Sequence, residues 1–220
     1  MATIGRAADR VKARRAYDSS RRQEHARQMR DRLLDVAEHR FLTDGYEPTT
    51  IASIAAEAGV SVDTIYKGFG GKPGLIRGIR ARALLGSDPV PAEQRSDELQ
   101  ARERDPRQII RGWADFTVEL APRAAPILLL LRDAAASDPD LRSLLKELDA
   151  DRLRRMAENA RRLAKAGHLR SGVSAADAAT VLWTYSAPEL YELLVLRRGM
   201  PLEEFGRFIG DAMIAAVLRP

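Results

Sequence analysis

The chain has no cysteine among its 220 residues, which excludes disulfide bonds and thiolate metal sites. Long apolar runs are also missing. The longest one, at residues 126–131, is far shorter than the roughly 18 residues that a membrane-spanning helix needs. The Arg-rich beginning of the chain lacks the apolar segment of a secretory signal. These absences predict a cytoplasmic protein without a membrane partner.

Strand signals are equally scarce. No alternating apolar run is bounded by a two-residue glycine turn, whereas apolar residues recur at spacings of three and four. We therefore expect an all-α fold. The expected helices cover residues 22–43, 50–58, 62–67, a segment that begins near 72, 106–120, 122–136, 139–166, 175–197 and 202–218, with a kink at Pro188.

Cations are concentrated at the beginning of the chain. Residues 1–32 hold ten Lys/Arg against four Asp/Glu, whereas the rest of the chain is nearly balanced despite the net charge of +5. A basic segment ahead of a neutral body is typical of polyanion-binding proteins, because each cation that meets a phosphate releases a counterion. We expect residues 1–21 to form a flexible basic arm, although a solvated leader would have the same composition.

A polar segment at residues 86–105, which contains Pro89 and Pro91, predicts a boundary between two domains. The first domain would cover residues 22–85 and the second residues 106–220. The second is expected to be a helical domain for ligand binding and dimerisation.

Residues 49–66 have the pattern of two short helices joined by a tight turn. A threonine caps the first helix, Gly59 permits a left-handed turn, and Ser61 caps the second helix. Ile54, Ala55 and Ile65 would point inward, which leaves the beginning of the second helix free to enter a major groove of DNA. Taken singly, each of these residues would also suit a helical hairpin that binds nothing.

The segment from Phe41 to Leu75 resembles the signature of the tetracycline-repressor family. The matching residues are Phe41, Gly45, Tyr46, Thr49, Thr50, Ile54, Ala55, Ala58, Gly59, Val60, Ser61, Thr64, Ile65, Tyr66, Phe69, Lys72 and Leu75. The resemblance implies a homodimer with two N-terminal, homeodomain-like helix-turn-helix headpieces. It also implies a C-terminal domain that binds a small-molecule effector, and a transcriptional repressor that leaves a palindromic operator when the effector binds.

The resemblance assigns roles to individual side chains. Either Thr49 or Thr50, together with Tyr66, Lys67 and Lys72, would contact phosphates, since hydroxyl and ammonium groups are good phosphate partners. Base edges would meet Val62, Asp63 and Thr64, although Asp63 could instead cap its helix. The expected DNA-binding residues are Arg21, Arg22, Thr49, Thr50, Ser61, Val62, Asp63, Thr64, Tyr66, Lys67 and Lys72.

The second domain has more apolar surface than a single amphipathic face requires, so part of it is expected to meet a second subunit. The expected dimer interface contains Leu190, Leu194, Phe205, Phe208, Ile209 and Met213. A pocket for a lipophilic effector would be lined by Trp113, Phe116, Thr117, Leu120, Leu129, Met156, Trp183, Tyr185 and Tyr191, with Arg132 as a further polar point. Packing within the chain is the alternative for both sets, and for each pocket residue taken singly it is the stronger interpretation.

The sequence does not predict an enzyme. The three histidines, His25, His39 and His168, are far apart, and neither a nucleophile elbow nor a phosphate-binding glycine loop is present. No metal and no cofactor are expected. The alternative to a ligand-responsive regulator is a DNA-binding adaptor or architectural protein whose helical domain binds another protein.

Overall fold

Helices form nearly all of the regular structure in the computed structural model, which describes residues 4–86 and 90–219 and the side chains of residues 21, 23–86 and 90–219. The helices are α1 Ile4–Asp44, α2 Ile51–Ala58, α3 Val62–Phe69, α4 Lys72–Ala83, α5 Ala92–Arg102, α6 Pro106–Ala134, α7 Pro139–Lys165, α8 Ala175–Tyr185, α9 Pro188–Tyr191, the π-helical segment π1 Glu192–Arg197 and α10 Leu202–Val217. The described residues contain no strand beyond an isolated bridge between Leu169 and Leu218. The all-α prediction is therefore confirmed. None of the described helices is long and apolar enough to cross a membrane.

Helix α1 begins much earlier than residue 22, where the sequence predicts its start. Residues 4–21, expected to be a flexible arm, have a helical backbone, and residues 1–3 lie outside the described residues. Ala, Arg and Lys favour helices and make up much of this segment, which has no proline, so nothing in its sequence ends the helix. Among the side chains of α1 that the structure describes, which are those of residue 21 and of residues 23–44, burial begins at Leu33 and Leu34.

Helix α6 is buried on two opposite faces and takes part in two hydrophobic cores. Ala125 and Leu129 pack in one core with residues of α7, α8 and α10. Ile127 and Leu131 pack in the other core with α1 to α4 and the first half of α7. Side chains two residues apart on a helix point in directions that differ by about 200°. The apolar run at residues 126–131 therefore contributes to both cores. We call α1 to α4 the headpiece and α5 to α10 the body.

Two predicted helices, 106–120 and 122–136, are in fact the single helix α6. Pro122 and Pro126 lie inside it. An internal proline costs about 3 kcal/mol because it removes a hydrogen bond and crowds the preceding turn. Burial of both faces around Ile127 and Leu129 offsets this cost.

The helix predicted at residues 175–197 is interrupted. Helix α8 ends at Tyr185, Ala187 is extended with ψ of 137°, and Pro188 begins α9, which continues into π1. A residue before proline avoids the helical region, so the chain breaks here and does not merely kink. The start of α8 agrees with the prediction, since Ser174 and Asp177 form a capping box.

The segment predicted to be an irregular linker contains helix α5. Pro91 stands directly before the helix, where its missing N–H removes no helical hydrogen bond. The carboxylate of Asp97 accepts hydrogen bonds from Arg155 and Arg162 of α7, at 2.7 and 2.5 Å. Helix α5 is therefore attached to the body.

Two arginines of α4 hold the headpiece against α7. Arg77 donates two hydrogen bonds to Glu147, at 2.6 and 3.1 Å, and Arg80 lies 3.9 Å from Asp151. Exposed ion pairs contribute little to stability. The paired hydrogen bonds between Arg77 and Glu147 nevertheless restrict how the two side chains are oriented. These pairs orient α4, the last helix of the headpiece, relative to the body.

The ammonium group of Lys72 closes the loop between α1 and α2. Its Nζ donates to the carbonyl oxygens of Tyr46, Thr49 and Glu47, at 2.7, 3.0 and 3.4 Å, and lies 4.1 Å from the centre of the Tyr46 ring. Burial lowers the pKa of Lys72. An ammonium group has three N–H donors, which equals the number of these carbonyl acceptors. Lys72 therefore has a structural role inside the headpiece, and its expected phosphate contact stays a prediction.

Replacing Lys72 by Met should lower the free energy of unfolding by about 1–3 kcal/mol, because the loop carbonyls lose their donor. Urea unfolding followed by circular dichroism would measure the change. The control is Lys67→Met on α3, where the side chain is exposed and its ion pair contributes little. Equal stability of the Lys72 variant and the wild type would contradict the structural role.

Replacing Leu144 by Ala should destabilise the protein by about 2–4 kcal/mol, since this α7 side chain is fully buried in the headpiece core. Both tryptophans lie in the body, so fluorescence reports on the body and circular dichroism on all helices. The two signals should change together during urea unfolding because α6 and α7 join the cores. The exposed Leu153→Ala is the matched control. Separate transitions in the wild type would refute a joint core.

Candidate nucleic-acid interface

Helices α2 and α3 are held at a fixed angle by caps on both sides of the turn between them. Thr50 Oγ1 accepts a hydrogen bond from the Ser53 N–H at 3.0 Å, and Ser61 Oγ accepts one from the Thr64 N–H at 3.1 Å. Gly59 ends α2 with a φ of 71°, which glycine adopts at no steric cost. The predicted roles of Gly59 and Ser61 in the fold are confirmed.

The outer face of α3 is left uncovered by the headpiece. Ile65 is fully buried, whereas Val62 is 41% exposed and Tyr66 55% exposed. Asp63 forms an exposed ion pair with Lys67 at 2.7 Å, one turn further along. Because Ser61 is the cap of α3, the capping role considered for Asp63 is wrong. Its negative charge in the first turn instead interacts favourably with the positive end of the helix dipole.

An open cleft of about 600 Å³ lies between α2, α3 and α4. Its lining includes Thr50 at the beginning of α2, Val62 and Tyr66 on the outer face of α3, and Gly71 ahead of α4. Gly71 provides no side-chain cap, so the first N–H groups of α4 have no side-chain acceptor. Two hydroxyl groups and the positive end of a helix dipole therefore meet at one cleft, an arrangement suited to an anion.

The first turn of α4 packs directly against the end of α3. A Cβ added to Gly74 would lie 1.6 Å from the carbonyl oxygen of Phe69, so only glycine fits at this position. This close approach fixes the angle between α3 and α4, and with it the shape of the cleft.

Two carboxylates of the body also line the cleft. Asp138 caps α7, where its Oδ1 accepts from the N–H groups of Asp140 and Leu141 at 2.8 and 3.2 Å. Burial, followed by the charges of Asp138 and Asp140, raises the pKa of Tyr46 to about 12. Sequence reasoning missed these residues. Their position depends on the packing of Leu141 in the headpiece core, which no local pattern shows.

The structure distinguishes between the two threonines that were considered for a phosphate contact. Thr49 is buried, and its hydroxyl donates towards the carbonyl oxygens of Gly45 and Arg40, at 2.7 and 3.3 Å. Of the two threonines only the exposed Thr50 lines the cleft with its side chain accessible. Arg21 is exposed on α1, whereas the side chain of Arg22 lies outside the described residues.

Most of the expected pocket residues lie in the core of the body. Trp113, Leu129 and Tyr191 are buried there, Phe116, Met156 and Tyr185 pack against them, and Leu120 and Thr117 are half-buried on α6. The hydroxyl of Thr117 donates to its own helix at 3.0 Å, and Arg132 pairs with Glu192 at 2.7 Å. The guanidinium carbon of Arg152 lies 4.5 Å from the centre of the Trp183 ring. The indole N–H groups of Trp113 and Trp183 are buried without an acceptor among the described residues.

The expected dimer interface divides into two groups. Phe205, Ile209 and Met213 face the core of their own chain and are at most 3% exposed, so they are not available to a second subunit. Phe208 of α10 is 45% exposed. Leu190 and Leu194 are half-buried against the body core. Leu193 is exposed as well, and sequence reasoning missed the exposed Leu196 and Leu202, because a helical stripe does not show which face is covered.

The chain is similar to known regulators. Residues 33–79 match the family model of bacterial regulatory proteins of the tetR family. A search of curated protein sequences finds no match. SmeT, the repressor of the Stenotrophomonas maltophilia multidrug efflux pump SmeDEF, is 25% identical and aligns over 86% of this chain and 90% of its own, with a TM-score of 0.65.

Two further solved structures have the same fold. The SmeT–triclosan complex is 24% identical over 87% of this chain and 92% of its own, with a TM-score of 0.68. NalD, the secondary repressor of the MexAB-OprM multidrug efflux pump in Pseudomonas aeruginosa, is 19% identical over 89% of this chain and 98% of its own, with a TM-score of 0.69. Residues 33–79, which contain the helix-turn-helix, therefore resemble the tetR-family model, and the chain has the fold of the repressors SmeT and NalD.

Proposed function

We propose that the chain is a sequence-specific transcriptional repressor that binds a palindromic operator as a dimer and leaves it when a small-molecule effector binds. The observation that carries the proposal is the uncovered face of α3 beside the cleft between α2, α3 and α4. An exposed helix of this size fits the major groove, and the cleft beside it suits a phosphate.

Phosphate and base contacts would come from different parts of this surface. The hydroxyl groups of Thr50 and Tyr66 and the first N–H groups of α4 would receive phosphates at the cleft, and Lys67 would reach a further phosphate. Val62 and Thr64 would face base edges from the beginning of α3, with Asp63 as a candidate acceptor for a cytosine amino group. The hydroxyl of Ser61 lies 2.8 Å from that of Thr64 on the same side.

Helix α1 would add charge outside the helix-turn-helix. The described side chains of α1 before Leu33 are solvent-exposed except that of Met29, which is half-buried, and they include Arg21, Arg27, Arg30 and Arg32. The headpiece itself is electrically balanced, since residues 33–85 contain six Lys/Arg and six Asp/Glu. Much of the salt-dependent attraction to DNA would therefore come from the α1 extension.

A second subunit would cover the exposed apolar side chains of π1 and α10. Leu193 is 49% and Leu196 55% exposed, and Phe208 lies on the neighbouring helix, where its ring contacts that of Tyr185 at a centroid distance of 6.4 Å. An uncovered apolar surface on a helical body marks an interaction site. A dimer through this surface would provide the second headpiece that a palindromic site requires.

The effector would bind in the body next to the two tryptophans. Buried N–H groups without an acceptor are costly, so a lipophilic molecule that brings an acceptor to Trp113 or Trp183 would be stabilised. SmeT, which has the same fold, has been solved with triclosan. A shift of α7 on effector binding would reach α4 through the Arg77–Glu147 and Arg80–Asp151 pairs.

A mobility-shift assay with DNA from upstream of the gene tests the proposed function, and repetition against a panel of metabolites tests effector release. Lys67→Gln should weaken binding to every sequence and reduce the salt slope by about 1 per subunit, because it removes a phosphate contact. Lys165→Gln, at the far end of α7, has the same charge change and should leave the slope unchanged. A wild-type protein that shifts no fragment would overturn the function.

Phe208→Arg should give monomers that lose operator affinity, because a buried charge would face the same charge of its partner. Analytical ultracentrifugation would measure the association. The matched control is Leu153→Arg, an exposed apolar residue on α7 that lies outside the proposed interface. A stable dimer after the Phe208 change would mean that subunits associate elsewhere.

A further inference from the structure

The first turn of α7 brings negative charge from the body into the cleft of the headpiece. Asp138 and Asp140 line this cleft together with Thr50, Tyr66 and Lys72. Neither carboxylate forms an ion pair with any cation of the described residues. The charge of Asp138 acts on Lys72, but the ammonium of Lys72 is bound to carbonyl oxygens of the loop between α1 and α2. The two acids therefore bring negative charge to the place where we propose that phosphate binds.

The two carboxylates are held in the cleft by the packing of α7. Leu141 is fully buried in the headpiece core and Leu144 nearly so, which anchors the first turns of α7 against α1 to α4. Asp138 uses one carboxylate oxygen to cap the helix, at 2.8 and 3.2 Å from two backbone nitrogens. The carboxylate of Asp138 is thus held at the cleft by its helix cap, and Asp140 stands on the same turn of α7 with an exposed side chain.

The field of these acids is felt on the headpiece side of the cleft. Burial is the largest influence on Lys72 and lowers its pKa, while the charge of Asp138 acts in the opposite direction. Asp138 and Asp140 add in the same way to the raised pKa of Tyr46. The two acids therefore disfavour the negatively charged form of Tyr46, while Asp138 favours the positively charged form of Lys72. Both headpiece residues line the cleft, so a phosphate placed there would be repelled by the acids, as a negatively charged Tyr46 would be.

We propose that Asp138 and Asp140 are an electrostatic brake on DNA binding, through which the position of the body sets the affinity of the headpiece. The acids would repel a phosphate at the cleft and partly cancel the attraction of the α4 N-terminus and the hydroxyl groups. A displacement of the first turn of α7 relative to the headpiece changes this repulsion directly, without rotation of α3. This inference rests on the proposed DNA-binding function.

The test is the double variant Asp138→Asn/Asp140→Asn. Asn is as good a helix cap as Asp, so the variant removes two charges and keeps the cap of α7. The matched control is Asp105→Asn/Asp115→Asn, which removes the same charge from α6. Asp105 is likewise a helix cap, with its Oδ1 2.9 Å from the Arg107 nitrogen, and Asp115 is exposed.

Fluorescence anisotropy with the upstream fragment and with a random-sequence duplex would measure the affinities. The cleft variant should bind both duplexes about ten-fold more tightly than the control variant at about 50 mM salt, with a smaller gain at about 200 mM salt. Both duplexes should gain, because phosphate contacts carry no sequence information. The single variant Asp140→Asn, which leaves the cap untouched, should gain about three-fold.

Two results would overturn the brake alone, and Lys67→Gln separates its failure from that of the proposed function. Equal affinity of the cleft and control variants would show that the acids do not act on DNA. Weaker binding to the upstream fragment alone would mean that the acids read bases. If Lys67→Gln weakens binding while the cleft variant matches the control, the brake fails and the proposed function stands. A wild-type protein that binds neither duplex would remove both.

Discussion

The double burial of α6 is the constraint on which the rest of the structure depends. Ala125 and Leu129 belong to the core of the body, whereas Ile127 and Leu131, on the opposite face, belong to the core of the headpiece. Close-packed cores tolerate only discrete rearrangements. A movement of α6 that improves the packing on one face must therefore be accommodated on the other, and the two parts of the chain respond together.

The helix-turn-helix could be predicted because its determinants are local in the chain. Ser61 accepts from the N–H three residues further on, and Gly59 takes its left-handed conformation whatever surrounds it. Caps and positive φ angles depend on the nearest few residues, so a single sequence shows them. The family resemblance extends over the same residues, and the matching family model covers residues 33–79.

Features that depend on distant contacts could not be predicted in the same way. Lys72 has the residue type of a phosphate ligand, but the loop carbonyls of residues 46–49 lie nearer to it. The stripe of α10 shows that one face is buried, but not that Phe205 is covered by its own chain while Phe208 is left exposed. The acids at the beginning of α7 reach the cleft only through tertiary packing. The helix boundary predicted ahead of Pro122 was also wrong, because burial of both faces of α6 offsets the cost of the internal prolines.

The contact between Gly74 and the carbonyl oxygen of Phe69 has a consequence for how this headpiece can diverge in evolution. A methyl group at this position would act as a wedge that tilts α3 away from α4. The outer face of α3 can exchange its side chains for others and so change the DNA sequence that it prefers. The orientation in which that face is presented cannot change by small steps, since the first step is already a collision.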